Sequence, residues 1–383
     1  MRSVSIIGIG QTPVAEHWNR SLRDLAVEAT LAAIRDAGVE RIDALFVGNM
    51  ASGLLCQQEN IAALIADYAG LRGIEAIKVE AACASGGAVV RAAHLAVASG
   101  AHEVVVAVGV EKMTDVGIDG VTSALATAAD ADYEAAQGVT FTALNALLMR
   151  LYMERHGYRR SDFAPFVVAA HENARANPNA MFREPVTVED FLESPLVAEP
   201  ISILDSAPIC DGAAAVVLCP TERAREFTQR PVRILASATA TDTIALAPRK
   251  DPLWFDAAYA SAHRAYQQAN LSPADVDFFE LHDAFTIVSA LSLEAACFAE
   301  RGQGVRFALD CNIHRGGKLP VCTQGGLKAR GHPVGASGTY QIVEAAQQLR
   351  GEAGENQLRD CHVAMAQSIG GMASVAVTHI LGV

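Results

Sequence analysis

Two short, similar segments far apart in the chain constrain its fold more than any other feature. "CASG" spans Cys83 to Gly86, and "GASG" spans Gly335 to Gly338. An alanine-rich helical segment follows each of them, and then a strand-like segment, "HEVVVAVG" or "CHVAMAQSIG". Internal repetition of this kind constrains the architecture. The sequence therefore predicts two similar α/β halves related by pseudo-twofold symmetry.

Short β-branched runs alternate with alanine-rich helical runs in both halves, which indicates a mostly parallel, covered sheet. Ser21 to Gly38 has a serine cap, helical spacing and a terminal glycine, as expected of a helix. From about residue 119 to 204 the chain is richer in arginine, histidine, proline and aromatic residues. We therefore predict a first half (1–118 and 205–228), an inserted loop domain (119–204) and a second half (229–383).

The composition argues against several classes of protein. The net charge of −13 disfavours a nucleic-acid binder, which normally carries a basic surface. No stretch approaches the roughly 18 apolar residues of a membrane span, and the first residues do not have the pattern of a secretory signal. The eight cysteines include no CxxC pair, which disfavours a zinc site and agrees with reduced thiols. We expect a cytoplasmic protein without a bound metal.

Cys83 is the first candidate for chemistry. It precedes a predicted helix, whose N-terminus carries partial positive charge and free N–H groups that would lower the pKa of a nearby thiol. The small neighbours Ala82, Ala84 and Ser85 would let a substrate approach. A buried, purely structural cysteine remains an open alternative at this point.

Three further segments supply candidate partners. His332 lies between Gly331 and Pro333 in "GGLKARGHPVGASG", where proline favours a loop, so this histidine is a candidate base or oxyanion donor. His282 ends a predicted strand in "ELHDAF", where ligands of α/β sheets gather, although a structural histidine also fits there. The glycines of "SIGGMAS" would expose N–H groups for an oxyanion hole, but such turns are common.

Together these segments resemble the thiolase superfamily, and the resemblance runs through the whole chain. Its "GVEKMTD" segment and its H-D-x-F form point to the archaeal-type and sterol-carrier-protein-type branch. The four matching loops are Cys83-Ala84-Ser85, His282-Asp283-Ala284-Phe285, Gly331-His332-Pro333 and Ser368-Ile369-Gly370. The resemblance implies a duplicated, five-layered α/β/α/β/α fold with an inserted loop domain.

The resemblance also implies the roles of site residues. Cys83 would take the acyl group of a coenzyme A thioester, and His332 would activate it and share in an oxyanion hole. His282 would help to hold a water molecule or the thioester oxygen. The N–H groups of Cys83 and Gly370 would form a second oxyanion hole, and Phe285 and Ser368 belong to the same matched loops. No tightly bound cofactor is implied.

The sequence departs from the family at the second acid/base. Ordinary thiolases use a second cysteine for proton removal from the α-carbon of the second thioester, but Ala284 and Ser368 occupy the two places where it occurs. His282 is a candidate substitute, and Cys322 is a weaker one. The expected function is condensation or thiolysis with acetyl-CoA and acetoacetyl-CoA. The alternatives are a Cys-His-His condensing enzyme, decarboxylating in some relatives, and a non-catalytic acyl-CoA-binding or scaffold subunit.

The family also suggests partners. A homodimer or a dimer of dimers is expected, and some archaeal-type thiolases assemble with 3-hydroxy-3-methylglutaryl-CoA synthase through a small scaffold protein. Arginines of the predicted insertion are candidates for the coenzyme A phosphates, since guanidinium suits phosphate geometry, although ordinary surface solvation also explains them. These arginines are Arg150, Arg155, Arg159, Arg160, Arg175 and Arg183.

Overall fold

Eleven β-strands occur in residues 2–383, the part of the chain that this computed structural model describes. The strands are β1 (Val4–Gln11), β2 (Ala44–Gly48), β3 (Glu75–Val79), β4 (Val105–Glu111), β5 (Leu196–Ala198), β6 (Ile201–Ser202), β7 (Gly212–Pro220), β8 (Val232–Thr241), β9 (Phe278–Glu280), β10 (Val363–Gly370) and β11 (Val375–Gly382). Nine of them share one hydrogen-bonded network in the order β3-β2-β4-β7-β1-β8-β11-β10-β9, and β5 and β6 form a separate hairpin.

Twelve α-helices occur in the same residues, together with short 3₁₀ turns and one π-helical turn, Gly326–Arg330. The α-helices are α1 (Leu22–Ala37), α2 (Ser52–Leu55), α3 (Ile61–Tyr68), α4 (Ser85–Ser99), α5 (Ile118–Ala126), α6 (Phe141–His156), α7 (Ala164–Ala174), α8 (Val188–Glu193), α9 (Asp256–Ala269), α10 (Thr286–Ala295), α11 (Gly304–Leu309) and α12 (Ser337–Arg350). The predicted helix after Ser21 is confirmed: Ser21 forms a capping box with Asp24, and Gly38 ends the helix in the left-handed conformation.

Strand order and direction repeat between the two halves. In the first half, β1 is antiparallel to β7, β7 is antiparallel to β4, and β4 is parallel to β2. In the second half, β8 is antiparallel to β11, β11 is antiparallel to β10, and β10 is parallel to β9. A short pairing of β1 with β8 joins the two sets. The duplication predicted from "CASG" and "GASG" is thus present in the topology. The prediction of a mostly parallel sheet is wrong, because antiparallel pairs join the long central strands and parallel pairs occur only toward the two ends of the sheet.

The layers follow from the alternation of side chains along the strands. On β4, Val105 and Ala107 belong to the same buried cluster as residues of α4 and α12, whereas Val106 and Val108 belong to the cluster that contains α1. On the other side of the molecule, α9 and α10 pack with the second set of strands. Helices α4 and α12 therefore form a central layer between two sheet layers, and outer helices cover both, which confirms the five-layered α/β/α/β/α arrangement.

Glycines let the two central helices come into close contact. Helix α4 begins at Ser85 and α12 at Ser337, which are the equivalent serines of "CASG" and "GASG". Thr339 Oγ1 donates a hydrogen bond to the Gly86 carbonyl at 3.0 Å. A methyl group placed on Gly338 would lie 2.3 Å from the Gly87 backbone nitrogen, which is closer than atoms can pack. The start of each helix is therefore fixed against the start of the other.

Residues 119–204, the predicted insertion, contain most of α5, all of α6 to α8 and the β5–β6 hairpin. Residues of α6 and α7 share one buried cluster with the second half, for example Met149 and Phe166. The exact limits of the three predicted regions remain a prediction. Among residues 2–383, no helix is both long and apolar enough to span a membrane.

The close contact of the central helices makes a testable prediction about stability. Gly338→Ala should lower the free energy of unfolding by about 1–3 kcal/mol, the usual effect of overpacking, because backbone atoms surround the added methyl group. Urea unfolding would measure it. Gly316→Ala is the matched control, since open space surrounds Gly316. Equal midpoints for the two variants would contradict the prediction.

Candidate active site

A pocket of about 800 Å³ brings together the principal residues predicted from the sequence. Cys83, His282 and His332 all line it, and so do Ala284 and Phe285. Side chains of the insertion form another part of its wall, including His171, Phe182, Arg183 and Val197. Most of the lining is apolar, as expected of a small-molecule site with a few polar groups.

Cys83 lies on a strained turn before α4. The preceding residue, Ala82, has a φ of +51°, a conformation that costs energy for a residue with a side chain. Ser85 holds this turn: its hydroxyl donates to the Ala82 carbonyl at 2.6 Å and accepts from the Ala81 N–H at 2.9 Å. The turn thereby presents the thiol to the pocket.

The pKa of Cys83 differs from the sequence expectation. Burial raises the pKa of the Cys83 thiol to about 12, and the nearby Glu111 carboxylate adds to the increase. The N–H groups of Gly371 and of Cys83 itself act in the opposite direction. The expectation of a lowered pKa was wrong because α4 begins only at Ser85 and the apolar surroundings of the thiol outweigh the effect of the helix N-terminus.

Glu111, at the end of β4, connects two loops of the site. Its buried carboxylate accepts hydrogen bonds from the N–H groups of Met50 (2.9 Å), Ala51 (3.2 Å) and Gly335 (3.0 Å) and from the Asn49 amide (2.8 Å). Burial raises the pKa of this carboxyl to about 7, although the N–H donors oppose the increase. Glu111 therefore fixes the loop that carries His332 relative to the first half.

His332 is held from both its backbone and its ring. Its N–H donates to Cys210 Sγ at 3.0 Å, and its Nδ1 lies 2.6 Å from Ser337 Oγ. Because the Ser337 hydroxyl donates to the Pro333 carbonyl at 3.1 Å, we assign the imidazole hydrogen to Nδ1, which leaves Nε2 as a proton acceptor. Burial, the neighbouring His282 and the charge of Arg330 hold the pKa of His332 well below its usual value.

His282 packs against His332, with ring centroids 5.2 Å apart and an angle of 85° between the rings. Burial and the charge of Arg330 lower the pKa of His282 to about 3, so its ring is neutral at pH 7. Its Nδ1 is buried without a hydrogen-bond partner among residues 2–383. Asp283 is outside the pocket lining and accepts from the Leu327 N–H at 2.7 Å.

Other candidates lie outside the pocket wall. Ser368 is buried between the central helices, where its hydroxyl donates to Gln341 Oε1 at 2.9 Å. Gly370 is also outside the lining, whereas the next residue, Gly371, is part of it. Cys322 is buried behind the site with its thiol directed at the Leu281 carbonyl, 3.6 Å away. Cys83 is thus the only cysteine in the pocket wall of the described chain.

Of the six arginines considered for coenzyme A, only Arg183 lines the pocket. Arg150 and Arg155 form ion pairs with Glu199 and Asp251. Arg160 donates to the main-chain carbonyls of Phe191 and Leu192. Neither Arg159 nor Arg175 belongs to the pocket lining.

Sequence reasoning did not identify several residues that position the site. Ser85 and Ser337 are equivalent in "CASG" and "GASG", and this repetition was a signal that each has a structural task at the start of its helix. Glu111 ends an apolar strand, where a carboxylate is unusual, and this was a second signal. Nothing in the sequence pointed to Cys210.

The arrangement suits covalent chemistry on a polar carbonyl in an apolar pocket. A thiol, two neutral imidazoles and free backbone N–H groups supply a nucleophile, proton acceptors and donors for an oxyanion. Residues 2–383 contain no group of three or more histidine, cysteine, aspartate or glutamate side chains that could hold a metal ion. A duplicated five-layered fold with a thiol in its pocket is typical of a class of acyltransferases.

Comparison with known proteins gives the family. Residues 4–222 match the family "Thiolase, N-terminal domain", and residues 238–383 match "Thiolase C-terminal domain-like". The chain therefore belongs to the thiolase family, and the thiolase-type acyl-transfer function that its motifs predict is confirmed at that level.

Individual relatives agree with this assignment. The chain is 49% identical to an acetyl-CoA acetyltransferase of Methanothermobacter thermautotrophicus over 99% of each chain. It is 30% identical to human sterol carrier protein 2, covering 99% of this chain and 72% of that protein. Among solved structures, an Ltp2–ChsH2(DUF35) aldolase superposes with a TM-score of 0.87 at 29% identity, covering 99% of this chain and 97% of the other.

The raised pKa of Cys83 predicts the pH dependence of its alkylation in the absence of substrate. Because only the thiolate reacts, the rate with iodoacetamide should increase about tenfold per pH unit from pH 7 to 10, without the plateau near pH 8.5 of an ordinary cysteine. Peptide mass spectrometry would follow Cys83, with the exposed Cys311 as an internal reference. A plateau below pH 9 would contradict the prediction, because it would show that the pKa of Cys83 is not raised.

Proposed function

We propose that the chain transfers acyl groups between coenzyme A thioesters through a covalent acyl-enzyme at Cys83, with acetyl-CoA and acetoacetyl-CoA as its substrates. The observation that carries this proposal is the presence of Cys83, His332 and His282 on the wall of one largely apolar pocket. The relatives named acetyl-CoA acetyltransferase support the choice of substrate.

In the first step, Cys83 Sγ bonds to the acyl carbon of acetyl-CoA, and Nε2 of His332 accepts the thiol proton. The thioester C–S bond breaks, and the departing coenzyme A thiolate takes a proton to leave as a thiol. A thiol with a raised pKa requires such a base next to it, which Nε2 can provide because Ser337 and Pro333 fix the hydrogen on Nδ1. The N–H groups of Cys83 and Gly371 would stabilise the charge on the acyl oxygen.

The second step requires a carbanion at the α-carbon of the second thioester. No second cysteine lines the pocket of the described chain, so we assign proton removal to the histidine pair, with His282 nearest the place of the missing thiol in the H-D-A-F loop. The carbanion attacks the acyl carbon, and the Cys83 thiolate leaves. Thiolysis is the reverse.

The same observation favours a second candidate, a condensing enzyme with a Cys-His-His site. Two neutral imidazoles face the pocket, and burial keeps their pKa values low. An imidazole with a lowered pKa stays neutral and can donate a hydrogen bond, but it is a weaker base than an ordinary histidine, which suits a reaction in which decarboxylation produces the carbanion without a base.

Coenzyme A would be a substrate and not a resident cofactor. Arg183 is exposed and lines the pocket, with its guanidinium held by the Arg175 carbonyl, so it is our candidate for a phosphate of coenzyme A. Guanidinium geometry suits phosphate oxygens.

We also propose a homodimer. Strand β3 is at the end of the sheet, pairs only with β2 in the described chain, and exposes Ile77. An open edge strand is suited to pair with a second copy. The DUF35 partner of the related aldolase supports a further proposal, a scaffold protein that would also hold a 3-hydroxy-3-methylglutaryl-CoA synthase.

Acyl-enzyme formation tests the function directly. Incubation with acetyl-CoA should add one acetyl group to the protein by intact mass, and Cys83→Ala should abolish the adduct. Cys322→Ala is the matched control and should retain the adduct, because Cys322 lies outside the pocket wall. If no adduct forms under any condition, the chain is a binding or scaffold subunit and both enzyme proposals fail.

Two cysteine substitutions test the second step. Ala284→Cys places a thiol in the pocket wall and should increase condensation of acetyl-CoA by about tenfold or more, within the usual range for a positioned acid/base group. Ser368→Cys is the matched control and should not increase it, because Ser368 faces Gln341 between the central helices. A coupled assay of acetoacetyl-CoA formation measures both. Unchanged activity in Ala284→Cys would contradict the idea that the absent cysteine limits this step.

A further inference from the structure

Lys328 is a buried cation on the pocket wall that the proposed chemistry does not use. It lies in the π-helical turn Gly326–Arg330, is 2% exposed, and belongs to the pocket lining. Its Nζ makes one hydrogen bond, to the main-chain carbonyl of Asp205 at 2.8 Å. No carboxylate of residues 2–383 lies within ion-pair distance of this ammonium group. A buried ammonium that bonds to no carboxylate is costly, and two of its three N–H donors have no protein acceptor, so its position on a cavity wall is suited to an anionic ligand.

The carboxylates nearest to Lys328 are occupied elsewhere. Asp205 accepts from the N–H and the hydroxyl of Ser202, both at 2.8 Å, and from the Thr286 hydroxyl. Asp283 accepts from the Leu327 N–H at 2.7 Å. The bond to Asp283 holds the π-helical turn beside Lys328, and neither carboxylate bonds to Nζ, although the charges of both act to raise the pKa of this lysine. Burial lowers the pKa of Lys328 to about 8, which leaves most of this group charged at pH 7.

Two neighbouring side chains add polar groups to the pocket wall beside Lys328. Ser206 follows Asp205 directly, lines the pocket, and has a buried hydroxyl without a hydrogen-bond partner in the described chain. His171, which is 5% exposed, also lines the pocket, and its Nδ1 lies 3.2 Å from the Glu184 carbonyl, so its Nε2 is free for a ligand. Burial lowers the pKa of His171, and the charge of the nearby Lys328 adds to the decrease. A cation, a hydroxyl and an imidazole thus occur together in an otherwise apolar wall.

The depth of this group decides which part of a thioester it meets. Residues at the mouth of the pocket are exposed, such as Ile118 at 70% and Val197 at 58%, whereas Lys328 is enclosed. The phosphates of coenzyme A are strongly hydrated and belong at the mouth, where Arg183 is available. The amides of its pantetheine arm are neutral and need only neutral donors. An enclosed ammonium group therefore fits an anion at the end of the acyl chain.

We propose that Lys328, Ser206 and His171 form a subsite for an acyl group that ends in a carboxylate, so that the chain accepts coenzyme A thioesters of dicarboxylic acids. This inference rests on the proposed function in that the thioester carbon of such a substrate reacts at Cys83. The carboxylate would receive charge-assisted hydrogen bonds from Nζ of Lys328, completed by the Ser206 hydroxyl.

Binding measurements on Cys83→Ala test the subsite without turnover. Calorimetry would compare glutaryl-CoA with pentanoyl-CoA, which share five acyl carbons but differ in the terminal carboxylate. Glutaryl-CoA should bind about tenfold more tightly or better, as expected of a hydrogen bond to a charged group. Lys328→Met in the same background should remove this preference, and Ser206→Ala should reduce it. Lys250→Met, which changes an exposed lysine outside the pocket, should retain it.

Two results would overturn the subsite. One is equal affinity for the two thioesters in Cys83→Ala. The other is an equal loss of affinity for both in Lys328→Met, which would assign Lys328 to coenzyme A or to support of the Asp205 loop. If Lys328→Met does not fold, the thioester pair and Ser206→Ala still decide the matter. Failure of the proposed function is a separate result, the absence of an acetyl adduct on Cys83 in the unmodified chain.

Discussion

The contact between the starts of α4 and α12 is the constraint on which the site depends. Cys83 stands just before one of these helices and His332 just before the other, so the position of each relative to the other follows from how closely the two backbones approach. Glycines allow that approach, and the hydrogen bond from Thr339 to the Gly86 carbonyl fixes it. Cys83 and His332 come from opposite halves of a duplicated fold and meet because the starts of these two helices are in contact. Glu111 strengthens the same arrangement by binding the Gly335 N–H from the first half.

The duplication of the fold, the limits of α1 and the residues that meet in the pocket could be predicted from the sequence, because their signals were local or repeated. The equivalence of "CASG" and "GASG" predicted the duplication, and the capping residues Ser21 and Gly38 predicted the limits of α1. The three principal site residues were predicted from glycine-rich loops and a strand end, and the pocket contains all three. Their catalytic roles remain predictions, since geometry places side chains together without showing a reaction.

Where the structure differs from the sequence predictions, the property concerned depends on which groups surround a residue in the folded chain. A helix N-terminus suggested an acidic thiol at Cys83, but the apolar cluster around it and the nearby Glu111 decide the sign of the pKa change. Ser368 stands at the position of the second cysteine in the C-x-G motif. The alternation of side chains along β10 nevertheless directs its hydroxyl between the central helices. The six arginines looked equivalent in the sequence, and only tertiary packing separates Arg183 from those that bind neighbouring protein groups.

Two separate parts of the chain line the pocket, and this has a consequence for which residues can change. Cys83 and His332 stand at the starts of the two central helices, where the close backbone contact tolerates little change, and His282 follows β9. His171, Phe182 and Val197 line the same cavity from residues 119–204, outside that contact. Phe182 lies in the loop between α7 and α8, and loops can accept insertions and substitutions without disturbing the rest of a site. Substitutions in that region can therefore change the shape of the pocket while Cys83 and His332 keep their positions at the helix starts.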